Sequence, residues 1–347
     1  MSQQEPPWWS PEAYQKRRPL LLKRQTILHE VRVFFWQQGF VEVETPALQV
    51  SPGLEPHLQA FATALQAPDG SQRTRYLHTS PEFSCKKLLA AGEPKLFTLA
   101  KVFRNGERAA THHPEFTLLE WYRAEAPLEA LIEDCVGLIR HLARASGVRR
   151  LRWQGQEVDP FRPFTQISVQ EAFQRYAGID LLATAPDPQA PDADPLRQAA
   201  RAQGLRVADD DSWADLVTKI QLARIEPQLG LERPAFLTDY PISLAALARP
   251  QPATPHLAER FELYVAGLEL ANAFGELTDP VEQRRRFVAD MDLKEQLYGL
   301  RYPLDEDFLE ALAVMPPASG IALGLDRLVM LLTGAEDIEE VLWAPVR

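Results

Sequence analysis

The chain has 347 residues, 46% hydrophobic and 24% charged, a globular composition with length for one large domain or two ordinary ones. Its 37 Lys and Arg against 48 Asp and Glu leave a net charge of −11, which disfavours duplex DNA or tRNA as a partner, because that affinity comes mostly from neutralising phosphates. Cys85 and Cys135 form no CxxC pair, which argues against a zinc site or a disulfide framework. The N-terminal stretch lacks an apolar signal core and no segment reaches the length of a membrane span, so a cytoplasmic protein without membrane association is expected.

In chain order, residues 1–19 are polar and Pro-rich and read as an arm. Ile27, Leu28, Val31, Phe34 and Phe35 recur at helical spacing, which predicts an amphipathic helix over 20–38 that stops at Gly39. Val41 and Val43 alternate with Glu42 and Glu44, a half-buried strand ending at Pro46, and 50–57 read as a loop. Leu77 to Glu82 ends a second strand, 83–92 are helical, and 96–103 and 116–122 are strands on either side of a polar loop. A helix is expected over 128–146. Residues 150–250 read as an insertion of helices (165–178, 212–226) and loops, with a Pro/Ala/Asp-rich surface segment at 182–194. Residues 258–279 read as extended, 281–297 and 305–314 as helices, and the last motif as strand, turn, helix. Strands far apart in sequence with helices between them predict an α+β fold around a large antiparallel sheet.

Four segments carry chemistry. Arg104 follows an apolar strand stub, where its guanidinium can emerge at a sheet edge and grip phosphate oxygens; a fixed cation there stabilises an α-phosphate under attack. His113 and Phe116 can border a nucleotide, by hydrogen bond and by stacking; the competing reading pairs Arg104 with Glu107 or Glu115 and makes Phe116 core. Gly320 and Gly324 mark close backbone approach, or a helix-packing contact, and Arg327 enters the helix that follows. In the run from Glu262 through Glu269 to Glu276, carboxylates stand at an oxygen-ligand spacing suited to Mg²⁺ on ATP, although 269 and 276 face opposite sides of a regular strand unless a turn or bulge near Gly275 intervenes; a solvated acidic strand is the alternative. Ser80-Pro81-Glu82 reads both as a helix start and as a carboxylate able to receive an ammonium.

Taken in this order, the segments resemble the catalytic core of class II aminoacyl-tRNA synthetases: motif 1 at 24–46, motif 2 at 102–122 and motif 3 at 320–332. TSPE (79–82), RNGERAATHHPEFTLLEWY (104–122) and ELANAFGELTD (269–279) are similar to the lysyl branch, and the likeness spans about 20–345. Motif 1 begins too early for the anticodon-binding barrel of those enzymes, and Ala322 stands where they usually have glycine. Both departures resemble the truncated paralogues of the elongation factor P–(R)-β-lysine ligase family.

That resemblance implies an ATP-dependent, amide-forming ligase. Arg104 and Arg327 would clamp ATP, with Asn105, Gly106, His113, Phe116, Glu269, Leu270 and Gly324 completing its site. Gly106 stands at the usual glutamate position, with Glu107 one residue later as the ATP-site carboxylate, and His113 replaces an asparagine. Ser80, Pro81, Glu82, Tyr122, Asn272 and Glu276 would hold lysine or (R)-β-lysine, with Ala322 shaping the pocket, and Glu269 and Glu276 would hold Mg²⁺. The implied acceptor is elongation factor P rather than tRNA, the implied assembly a homodimer through motif 1, and 20–347 one catalytic domain. A minimal lysyl-tRNA synthetase, an inactive regulatory module and an ammonia-dependent asparagine synthetase are the alternatives.

Overall fold

A computed structural model describes residues 6–346. Eight strands form its main sheet: β1 (Val41–Glu42), β2 (Lys95–Phe103), β3 (Glu115–Ala124), β4 (Thr165–Ser168), β5 (Ala235–Thr238), β6 (Arg260–Val265), β7 (Leu268–Gly275) and β8 (Ala318–Gly324). Their spatial order is β1-β2-β3-β8-β7-β6-β5-β4. The pairs from β2 to β5 are antiparallel, as expected, while β1 and β4 add parallel edges and make the sheet mixed.

Alternation divides this sheet into two unlike faces. One row across it runs Phe97, Trp121, Ile321, Ala273, Phe261, all buried apolar residues. The next row runs Thr98, Glu120, Ala322, Asn272, Glu262. The first face packs on α1 (Pro11–Gln37), α3 (Leu128–Ala145) and α8 (Leu325–Thr333), through Ile27, Val31 and Phe35, then Leu138 and Leu142, then Leu328 and Leu332. Each such side chain contributes roughly 1.5–3 kcal/mol on burial, so this layer is the main core.

The polar face is covered only at its ends. Near β4 and β5 lie α4 (Ala193–Ala202), α5 (Trp213–Ile220) and a helical segment from Val169, packed around Phe173, Trp213 and Leu237. Near β2 and β3 lie α2 (Glu82–Ala90), α6 (Pro280–Tyr298) and α7 (Glu306–Leu312), where the Phe83 and Phe308 rings stack at 4.3 Å. Between the two clusters the polar face stays open.

Three expectations need correction. Helix α1 starts at Pro11, inside the expected arm: Ser10 caps it, accepting from the Ala13 N–H, and Pro11 suits the first turn. Among the described residues none before Leu21 is buried, so the apolar spacing gives no sign of these turns. Residues 165–168 are strand, and with β5 they extend the main sheet, so 150–250 is more than helices and loops. Finally, the turn or bulge looked for near Gly275 lies at Leu270. Tyr264 pairs with Glu269 and Leu263 with Ala271, leaving Leu270 as the extra residue.

Motif 3 is tied to motif 1 by charge. Arg24 of α1 and Asp326 of α8 form a buried ion pair, and Asp326 also accepts the Thr117 N–H at 2.6 Å. Removing one member strands a buried charge. Arg24→Leu is expected to cost about 3–5 kcal/mol of unfolding free energy, read as a lower urea midpoint at fixed protein concentration. Arg24→Leu with Asp326→Leu should recover much of that loss; a midpoint unmoved by the single change would contradict the account.

Candidate active site

The open stretch of the polar face is a cleft of about 390 Å³. The Leu270 bulge restores Glu269 to the face that carries Asn272 and Phe274, so β7 lends the cleft floor an acid it would otherwise turn away. Of the residues singled out in the sequence, Ser80, Glu82, Arg104, Glu107, His113, Phe116, Glu269, Leu270, Asn272, Ala322, Gly324 and Arg327 border the cleft. Pro81, Asn105, Gly106, Tyr122 and Glu276 do not border it. Asn105 and Gly106 lie exposed on the loop after β2, where Gly106 takes φ +82°. Pro81 is the N-cap of α2, and Tyr122 and Glu276 are buried behind the floor.

One end of the cleft is cationic. Arg104 lies over the Phe116 ring at 5.2 Å, and its buried Nε has no hydrogen-bond partner. Among the described residues it pairs with neither Glu107 nor Glu115; the contact of Glu115 is Lys101, at 3.9 Å. Arg327 donates to the Glu269 carbonyl at 2.9 Å, to the Thr111 carbonyl at 3.3 Å and to His112 Nε2 at 2.8 Å. Asp326 is held by Arg24 and so leaves Arg327 its charge. Burial and then Arg327 push the His112 pKa down, which keeps the ring neutral and able to accept.

His113, the expected nucleotide contact, has both ring nitrogens engaged by backbone. Val346 N–H donates to Nε2 at 3.1 Å, and Nδ1 sits 2.6 Å from the Glu115 carbonyl. Arg108 in the same loop donates to the Val346 carbonyl at 2.8 Å. His113 therefore fastens the last residues to the motif 2 loop, and His112 is the histidine that meets Arg327.

The other end is acidic. Glu120, fully buried, accepts from Ser80 Oγ at 2.6 Å and from the Tyr122 hydroxyl at 2.8 Å. Burial raises its carboxyl to about 8, so in the empty cleft it is largely protonated at neutral pH. Ser80 Oγ also accepts the Glu82 N–H at 3.1 Å, so its capping and site roles coexist. Behind this end, Lys86 joins Glu82 and, at 2.7 Å, Glu276. Burial works against the Lys86 charge, yet the two acids hold its ammonium above its ordinary range. A Cβ on Gly320 would lie 2.3 Å from both Glu276 and the Tyr122 ring, so only glycine lets them meet. Gly324 is different: a Cβ there would touch Arg327 at an ordinary 3.4 Å.

Between the ends, Glu262 accepts from Arg260 at 2.5 Å, Tyr240 at 2.5 Å and Tyr264 at 2.6 Å, and Arg260 donates to Asn272 Oδ1 at 3.2 Å. Burial, then the nearby Glu262 and Glu226 carboxylates, push the Glu269 pKa up. Crowded acids of this kind suit a divalent cation. Among the described residues no three Asp, Glu, His or Cys side chains converge as a ready metal cage. Glu276, the other expected metal ligand, is ion-paired to Lys86 instead.

Sequence reading missed Glu120, Lys86, His112 and Arg260. Two had a signal. Glu120 shares strand parity with Phe116 and Tyr122, and Lys86 lies one helical turn after Glu82.

Comparison with known proteins agrees with this geometry. The family described as tRNA synthetases class II (D, K and N) matches residues 13–347. The chain is 40% identical over 336 residues to a Haemophilus influenzae (strain PittGG) protein named elongation factor P–(R)-beta-lysine ligase, covering 96% of each. Proteins of the same name match from Haemophilus ducreyi, at 40% identity over 93% of this chain and 92% of the relative, and from Salmonella paratyphi B, at 40% over 96% of each. No helix among the described residues is long and apolar enough to cross a membrane. With a family match along nearly its whole length, and with the arginines, the acid-lined cleft and the mixed sheet in place, the chain belongs to the class II tRNA synthetases of the D, K and N group.

Proposed function

We propose that this protein is an ATP-dependent ligase that activates (R)-β-lysine or lysine as an adenylate and transfers it to a lysine ε-amine of elongation factor P. The observation that carries the reading is the polarity of the cleft: an unpartnered Arg104 at one end, and at the other Ser80 and Glu82 on the wall, with the buried Glu120 carboxyl, which has no bound cation, directly behind Ser80. A molecule with ammonium and carboxylate groups, beside a polyphosphate, matches that arrangement. The relatives' names supply the amino acid and the acceptor.

The chemistry needs two displacements. The amino-acid carboxylate attacks the α-phosphorus of ATP, and the bond to pyrophosphate breaks. The acceptor amine then attacks the acyl carbon of the adenylate, an amide forms, and AMP leaves. Arg104 offsets charge that grows on the α-phosphate oxygens, and Arg327, braced on two backbone carbonyls, presents a fixed cation on the nucleotide side. Phe116 offers the adenine a ring face. Glu120, behind Ser80, orients the distal ammonium, with Tyr122 holding its carboxyl and Lys86 fixing Glu276 farther back. Catalysis on this reading is positioning plus charge stabilisation, with no covalent enzyme intermediate. Glu269, with Glu262 beside it, would hold Mg²⁺, which neutralises phosphate charge when bound.

The acceptor is a protein on this reading, since a net charge of −11 suits tRNA poorly. Residues 20–347 act as one catalytic unit in the cytoplasm, where two buried free thiols are at home. Trp36, Val41, Leu48 and Val50 lie exposed along motif 1, which supports a homodimer through that face.

Three outcomes test this reading. Arg104→Ala should lower ATP–pyrophosphate exchange at least about a hundredfold. The variant should keep its fold, because Arg104 makes no ion pair among the described residues; near-normal exchange in a folded variant would sink the assignment. With ATP, Mg²⁺ and labelled amino acid, stable label should appear on elongation factor P and none on total tRNA; base-labile label on tRNA alone would point to a minimal synthetase.

The third outcome concerns pH. Glu120 titrates near its ordinary value when unfolded and near about 8 when folded, so the folded state binds more protons between those values. Its contribution to stability is most favourable below about 4.5 and declines as pH rises toward 8. Glu120→Gln should flatten that part of the ligand-free stability–pH curve; an unchanged slope would deny the buried, protonated carboxyl.

A further inference from the structure

The loop 50–58 carries an acid with no role so far. Glu55 borders the main cleft and also a second, smaller cavity of about 30 Å³ beside it, which Glu82 and Asp290 share. A space of that size holds one water-sized or ammonium-sized group. The Glu55 Oε2 atom is buried and has no hydrogen-bond partner.

The chain is built to keep it there. Gly53 takes φ +123°, and a Cβ at that position would lie 2.8 Å from Glu55 Oε2 and 2.6 Å from Thr79 Oγ1, so the missing side chain makes room for the carboxylate. Lys294 from α6 donates to the carbonyls of Glu55 and Pro56, at 2.9 Å each, and of Leu58. That ammonium fastens the loop backbone rather than the Glu55 side chain. Arg104, the other cation acting on Glu55, does not bond it either.

Buried acids without a bound cation are costly unless a ligand supplies one. Glu82 and Glu276 already have Lys86. Glu55 and Glu120 do not, and they lie in different places: Glu55, on the cleft wall, is close enough to Arg104 and Glu82 to feel both charges, whereas Glu120 lies behind the wall, bonded to Ser80 and Tyr122. We propose that Glu55 is a specificity-determining residue of the amino-acid site, and that with Glu82 it seats the substrate's second ammonium, the one nearest the carboxylate being activated. This assignment rests on the function proposed above. Burial and the Glu82 charge hold the empty Glu55 carboxyl above its ordinary pKa, which is the state of an acid awaiting a cation. Asp290 is likewise raised, to about 7, by burial and by Glu55.

The test compares substrates with one and two ammonium groups. ATP–pyrophosphate exchange gives KM for lysine and (R)-β-lysine, and inhibition of that exchange gives Ki for 6-aminohexanoate, which keeps the distal ammonium and carboxylate and lacks the second amine. In Glu55→Gln, KM for the better amino acid should rise about tenfold or more, while Ki for 6-aminohexanoate stays as in the wild type, which also reports an intact cleft. Gly53→Ala, which displaces the same carboxylate, should give the same pattern. An unchanged KM in Glu55→Gln, or KM and Ki rising by one common factor, would overturn the assignment alone. Wild-type protein exchanging pyrophosphate with neither amino acid would overturn the proposed activity, and this assignment with it.

Discussion

Carboxylates placed out of water must find a counter-charge, accept hydrogen bonds or hold a proton, and this cleft uses all three. Lys86 neutralises Glu82 and Glu276 from behind. Hydroxyls of Tyr240 and Tyr264 and the guanidinium of Arg260 satisfy Glu262. Glu120 keeps a proton. The resulting field is negative on the α2 side and positive around Arg104 and Arg327, so a zwitterionic substrate has one orientation that satisfies both ends. Direction of binding is thus set before any contact with the reacting atoms.

Geometry follows from the same economy. A two-faced sheet gives its apolar residues to three helices and presents the other row to solvent. Satellite clusters at either end keep the helices apart over that row. The floor is therefore rigid main-chain ladder rather than loop, a sound base for groups that must hold position to within fractions of an ångström.

Much of this was legible in the sequence, for identifiable reasons. Alternation along 96–103 and 116–122 marks strands, and Arg104 stands just past the end of one of them. The glycine of motif 3 that signals close approach is Gly320, and what approaches it is Glu276 and the Tyr122 ring. What stayed hidden depends on distant partners. The bulge at Leu270 arises from pairing with Leu263 and Tyr264, so no local turn residue announces it. His112 and His113 are chemically identical in sequence; only the backbone of Val346 and the side chain of Arg327 tell them apart. The early turns of α1 lack a buried stripe, and β4 is too short to outweigh the helix that follows.

The grip of the motif 2 loop on Val346 gives the two halves of the cleft unequal local stabilities. Around Arg104 the loop is fastened by the last residues of the described chain, through His113 and Arg108. Arg108 and Val346 are exposed, and ties between exposed groups open at a small fraction of the global unfolding free energy. The acid end hangs on Lys86, whose release requires the core beneath α2 to come apart. On the proposed function, easy opening therefore falls on the nucleotide side, where AMP and pyrophosphate would leave, and a bound amino acid or adenylate would stay anchored by its ammonium groups while that door swings.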